Sequence, residues 1–118
     1  MARTILIPLQ ANDVAPRFDL AQAVMLATLP EEGAALTTTL VLEQPSADGL
    51  CDLALSRGVT CVVCNGIEEE YYHYLRWKRV EVLDSIMGPV DLVLERLARG
   101  QLKSGDILYG RGQGAAHV

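Results

Sequence analysis

The run Thr4-Ile5-Leu6-Ile7-Pro8-Leu9 is apolar at nearly every position, and so is Val59-Thr60-Cys61-Val62-Val63-Cys64. A strand with one wet face alternates apolar and polar residues, whereas a near-continuous apolar run needs cover on both faces. Such strands lie inside a sheet flanked by helices. The two runs therefore predict an α/β fold in which they are central, with parallel pairing across a helical crossover.

The rest of the chain fits that frame. Arg3 to Leu9 is the first strand, with Pro8 near its end, and Gln10 to Asp19 is a loop. Gln22 to Thr28 is apolar enough for a second strand, Pro30-Glu31-Glu32-Gly33 is a turn, and Leu36 to Leu42, rich in threonine, is a third strand. Asp48 is the expected cap of a first helix with Leu50, Leu53 and Ala54 at helical spacing, closed by Gly58. After the Val59 to Cys64 strand, Asn65-Gly66 breaks the chain. Glu68-Glu69-Glu70 then opens a second helix that ends near Arg76, Lys78 and Arg79, an order of charges suited to the helix dipole. Val80 to Ile86 is a fifth strand, and Pro89 to Arg99 a third helix with Val90, Val93, Leu94 and Leu97 on one face. The sum is a mixed five-stranded sheet with helices on both faces. Residues 1–102 form the domain, and the glycine-rich segment 103–118 is expected to be a tail that is mobile or ordered by a partner.

At 118 residues with half of them apolar, the chain matches one ordinary globular core. Its net charge of −5 argues against nucleic acid or anionic membrane as a general partner, since both are bound through positive surfaces. The start of the chain has neither a signal-type segment nor an apolar run long enough to span a bilayer, so a cytoplasmic location is expected. In that setting Cys51, Cys61 and Cys64, an odd number, are reduced core residues or ligands rather than a disulfide framework.

The loops beyond the carboxyl ends of parallel strands are where α/β sheets hold ligands. Two lie there: Gln10 to Asp19, containing Val14-Ala15-Pro16-Arg17-Phe18-Asp19, and Cys64-Asn65-Gly66-Ile67. Arg17 offers a planar fork of donors for an anion, and Gly66 permits close backbone approach beside a helix amino terminus. A structural account of the same residues pairs Arg17 with Asp13 or Asp19, buries Phe18 and gives Gly66 a left-handed turn. Cys61 and Cys64 have the spacing of a metal pair, but three residues apart on a strand they face opposite sides. Cys61 is thus assigned to the core, and Cys64, at the strand end, is the metal-ligand candidate. His73 and His117 are isolated. No acid lies within the first strand as two-metal nucleases require, and neither a nucleophile elbow nor a phosphate-binding glycine loop is present. No enzymatic activity is expected.

The Val-Ala-Pro-Arg-Phe-Asp loop after a first strand, the Gly58-Val59 to Cys64-Asn65-Gly66-Ile67 strand and turn, and the Gly100-Gln101-Leu102 ending resemble the dinitrogenase iron-molybdenum cofactor biosynthesis family. The resemblance covers roughly Ile5 to Leu102. It implies a ribonuclease H-like three-layer α/β fold, a relation to nitrogen fixation, and non-catalytic binding or delivery of an iron-molybdenum or other metal-sulfur cofactor or its precursor. Arg17, Asn65 and Gly66 would then bind the ligand and Cys64 the metal, with a cluster-assembly or acceptor protein as partner. The chain departs from the family at Glu68, Glu69 and Glu70, where relatives place glycine or another small residue. Those carboxylates favour an alternative from another class, a protein-interaction or regulatory domain that has lost the ligand. For that alternative the aromatic second helix and the glycine-rich tail are the contact surfaces, the helix supplying a homodimer contact through Tyr71, Tyr74 and Trp77.

Overall fold

A computed structural model describes residues 3–109. Strand β1 (Arg3–Gln10) lies at the centre of a mixed sheet. On one side it pairs antiparallel with β3 (Ala23–Leu29), which pairs antiparallel with the edge strand β4 (Leu36–Val41). On the other side it pairs parallel with β5 (Cys61–Val63), which pairs parallel with β6 (Glu81–Leu83). Among the described residues the sheet has six strands rather than the expected five. The additional one, β2 (Asp13–Val14), arises where the loop after β1 folds back and sets Val14 opposite Leu9. Two residues carry no periodicity of their own, so this strand had no sequence signal.

Burial on both faces of β1 is complete from Ile5 to Ile7. Ile5, Ile7 and Leu9 face Val90, Val93 and Leu97 of α3 (Val90–Ala98). Leu6 faces the opposite layer, where Leu50, Cys51 and Ala54 of α1 (Ala47–Ser56) and Leu75 of α2 (Glu69–Trp77) pack around Phe18. The period-two alternation of β5 sends Cys61 into the first layer and Cys64 into the second. Their sulfurs are therefore separated by the sheet, as their spacing implied.

The cap of α1 is Ser46, not Asp48. The Ser46 hydroxyl accepts from the Gly49 amide at 2.9 Å, and Asp48 lies within the first turn, where its charge suits the dipole. The three α-helices of the described residues end alike. The first amide past each turn bonds back five residues, Val59 to Ala54, Val80 to Leu75 and Gln101 to Arg96. The residue before it is left-handed, with φ of 67° at Gly58, 68° at Arg79 and 68° at Gly100.

The segment expected to be a tail begins as part of the fold. The Met87 amide donates to the Asp106 carbonyl and the Leu108 amide to the Met87 carbonyl at 2.7 Å, burying Leu108 in the α3 layer. Residues 110–118, including His117, lie outside the described residues.

Candidate functional site

The parallel pairing of β1 and β5 brings their two carboxyl-end loops together through the backbone. The Gly66 amide donates to the Pro16 carbonyl at 2.9 Å, and the Phe18 amide donates to the Gly66 carbonyl at 2.8 Å, forming a short parallel bridge between Arg17 and Gly66. Gly66 is not among the residues with positive φ, so a left-handed turn is not its role. A Cβ at this position would lie 2.9 Å from the Pro16 oxygen. Close approach is what requires the glycine. The same bridge consumes the Gly66 N–H, which is therefore not free to donate to a ligand.

The bridge drives Phe18 into the α1 and α2 layer, where it is 2% exposed. Phe18 anchors a short 3-10 turn (Phe18–Leu20), with Arg17 projecting on its outer side. The Arg17 guanidinium makes a two-pronged contact with Asp19, Nε to Oδ1 at 3.1 Å and Nη2 to Oδ2 at 2.7 Å. Both partners retain access to solvent, Arg17 most of all. An exposed pair of this kind contributes little stability, about 0–1 kcal/mol, so redirecting the guanidinium costs little.

Arg17 borders a pocket of about 640 Å³ on the edge of the sheet. One wall is the loop from Gln10 through Ala15, Pro16 and Leu20, and the other is the paired start of β3 and end of β4, Ala23 opposite Val41. The lining is apolar apart from the Gln10 and Gln22 amides and Arg17, its one charged side chain. Leu20 and Val41, 59% and 81% exposed, give the pocket an apolar rim. The volume lies in the range of small-ligand sites, and an apolar bowl with few convergent polar groups is their usual composition.

Of the sequence-derived candidates, Arg17 lines this pocket. Asn65 and Gly66 buttress the loop from behind: the Asn65 carbonyl accepts from the Ser85 amide at 2.9 Å, and neither residue lines the cavity. Cys64 is fully buried, and burial, followed by the Asp84 charge, pushes its thiol up to about 12. In this fold it is a protonated core residue, remote in chemistry from a thiolate ligand. Among the described residues no group of His, Cys, Asp and Glu is arranged to hold a metal ion. Glu68, Glu69 and Glu70 are exposed and none of them lines the pocket. Sequence reasoning missed Leu20, Gln22 and Val41: Val41 reaches the pocket through the register between β3 and β4, which local sequence does not encode, and Leu20 through the turn anchored by Phe18.

The chain matches no protein-family profile and no curated protein sequence. Its fold is shared with solved proteins. It aligns with the crystal structure of PH0822 at a TM-score of 0.78 and 16% identity, covering 93% of this chain and 98% of that one. It aligns with MJ0327 of Methanocaldococcus jannaschii, provisionally described as a dinitrogenase, at a TM-score of 0.71 and 16% identity, over 87% and 94% of the two chains. The apo form of the orange protein from Desulfovibrio gigas aligns at a TM-score of 0.66 and 17% identity, over 86% and 92%. At these identities the likeness establishes the mixed α/β fold that this chain has in common with them.

Proposed function

We propose that this chain binds a small anionic metal-sulfur cofactor or its precursor, of the iron-molybdenum type, and carries it without transforming it. The observation that carries the reading is the pocket of about 640 Å³ built by the Val-Ala-Pro-Arg-Phe-Asp loop, with Arg17 as its one charged side chain. Its donor set suits a preformed anion whose sulfur-rich faces lie against Leu20, Ala21, Ala23 and Val41, while Arg17 and the Gln10 and Gln22 amides donate hydrogen bonds. It does not suit a bare metal ion, since no thiolate, imidazole or carboxylate lines the cavity. The cargo is thus held by charge and shape rather than by protein ligation, and Cys64 has no part in holding it.

The resemblance to the dinitrogenase iron-molybdenum cofactor biosynthesis family supports this reading. So do the solved neighbours, one provisionally described as a dinitrogenase and another in an apo form. The antiparallel β1, β3 and β4 followed by parallel β5 and β6 supports naming the fold ribonuclease H-like. Glu68, Glu69 and Glu70 are exposed and do not line the pocket, which is compatible with an anionic cargo.

The test is anaerobic titration with tetrathiomolybdate, and separately with iron, molybdate and sulfide, followed by absorption and metal analysis of the desalted protein. A stoichiometric chromophore that is lost in Arg17→Ala and kept in Cys64→Ala is the expected result. A colourless protein under every condition would overturn the reading in favour of an interaction domain, and retention of the chromophore by an Arg17→Ala, Cys64→Ala double variant would sink the site.

A further inference from the structure

Away from that pocket, the outer face of α1 and α2 carries unspent charge of both signs side by side. Between the two helices is a groove of about 410 Å³ lined by Asp48, Cys51, Asp52, Glu70, Tyr71 and Tyr74. The carboxylates shape the field there: the Tyr71 phenol is pushed up chiefly by the Asp48 charge, and burial with Asp48 and Asp52 pushes the Cys51 thiol up to about 11. At the other end of α2 stands Trp77, 74% exposed, with Lys78 against its ring, while Arg76 lies over the Tyr72 ring and shares a neighbouring recess with Arg79 and Glu81. The Lys78 ammonium sits 4.8 Å over the Trp77 ring, and the Tyr74 ring that lines the groove lies 6.4 Å from it. Among the described residues none of these carboxylates or cations has an ion-pair partner.

We infer that this face binds a second copy of the same chain, with two α2 helices packed antiparallel across a two-fold axis. Each copy then places its Trp77 and Lys78 against the acidic groove of the other. The argument is charge complementarity. A helix of nine residues with acids in its first turn and Arg76 in its last opposes unlike ends when paired antiparallel with itself, and like ends when paired parallel. A two-fold contact is self-complementary only if one patch holds both knob and recess, and here Tyr74 joins them. Asp48, Asp52 and Glu70 of one copy oppose Lys78 of the other, with Arg76 and Arg79 adding positive charge at the same end of α2. Trp77 supplies the apolar anchor that such contacts centre on.

Two charge-reversed variants test this by sedimentation. Asp48→Lys with Asp52→Lys makes the groove basic, and Arg76→Glu with Lys78→Glu makes the knob acidic. The wild type is expected to be a dimer that dissociates as salt is raised, and each variant alone a monomer with an unchanged circular dichroism spectrum. Mixed in equal amounts, the two variants are expected to form a heterodimer, because one half of that contact is wild type and the other is reversed on both sides. The chain has a single tryptophan, so the emission of Trp77 provides a second readout, shifting to the red when the wild type is diluted into monomers. A wild type that is monomeric at every concentration overturns the inference. So does a dimer that survives both reversals and Trp77→Ala, or a mixture of folded variants that stays monomeric. Neither variant touches the Arg17 pocket, so thiomolybdate binding by these proteins keeps this test separate from that of the cargo site.

Discussion

Gly66 and Pro16 meet at van der Waals limit: the amide of one donates to the carbonyl of the other at 2.9 Å, and a Cβ on Gly66 would lie 2.9 Å from that same oxygen. Because the obstacle is backbone, relief requires the whole Pro16-Arg17 segment to retreat from β5. Gly66→Ala is expected to cost about 1–3 kcal/mol of stability and to weaken the Phe18 to Gly66 bond. Since the same segment carries Arg17, ligand binding should fall as well. Denaturant unfolding of Gly66→Ala reads the first effect and thiomolybdate titration the second. Wild-type stability in the variant would show that the loop gives way freely.

Arg17 and the pocket walls separate charge from shape. Arg17→Ala removes an exposed pair and should change stability by no more than about 0.5 kcal/mol. Its effect should fall on anion affinity, as a loss that wild-type protein reproduces in part when salt is raised. Leu20→Asp and Val41→Asp place carboxylates at exposed positions, so folding should persist while anion binding is lost through repulsion. Binding that is indifferent to all three changes would remove this cavity from consideration.

The thiols report burial. The buried Cys61 and Cys64 are pushed up to about 12 and Cys51 to about 11 from an ordinary 9.0, in each case first by burial. A folded-state pKa above the unfolded value favours the neutral thiol, so this stability is fully present below pH 9.0 and is lost as pH rises through about 11 to 12. Unfolding free energy should therefore decline above about pH 9, and less steeply in Cys64→Ala. At neutral pH an aromatic disulfide reagent should leave the native protein unmodified and titrate three thiols once it is unfolded. Rapid modification of Cys64 in the native protein would contradict its place in the core and restore it as a ligand candidate.

The sequence was most legible where burial acts on both faces of an element. β1 and β5 were readable because every residue between Ile5 and Ile7, and between Cys61 and Cys64, is enclosed. The opposite orientations of Cys61 and Cys64 followed from strand geometry alone. Less legible were features created by tertiary contact. β2 exists only because Val14 comes back against Leu9, and Leu108 is buried only because it reaches the Met87-Gly88 turn. The Ser46 cap was in principle readable, since Ser46 precedes Gly49 by the three positions a cap requires, but Asp48 offered a competing signal two residues later. At the site, Arg17 was found through its loop. Val41 and Leu20 were not, because their closeness is set by the pairing of Ala23 with Val41 and by the Phe18 anchor.

Arg79 is the exception among the three helix ends, and it makes a test of the backbone itself. Gly58, Arg79 and Gly100 occupy equivalent left-handed positions, each followed by a residue whose amide bonds back into the last turn. A side chain there costs about 1–2 kcal/mol through the clash of Cβ with the neighbouring carbonyl. Replacing it with glycine relieves that strain but loosens the unfolded chain, which takes back about 0.4–1 kcal/mol. The strain term is the larger, so Arg79→Gly should stabilise the monomer by about 0.5–1 kcal/mol and raise Tm by roughly 2–5 °C. The same substitution removes a cation from the α2 face and should weaken self-association. Thermal unfolding must therefore be followed at a dilution where the wild type is monomeric. A lower Tm there would mean that the Arg79 side chain makes a stabilising contact worth more than the strain it imposes.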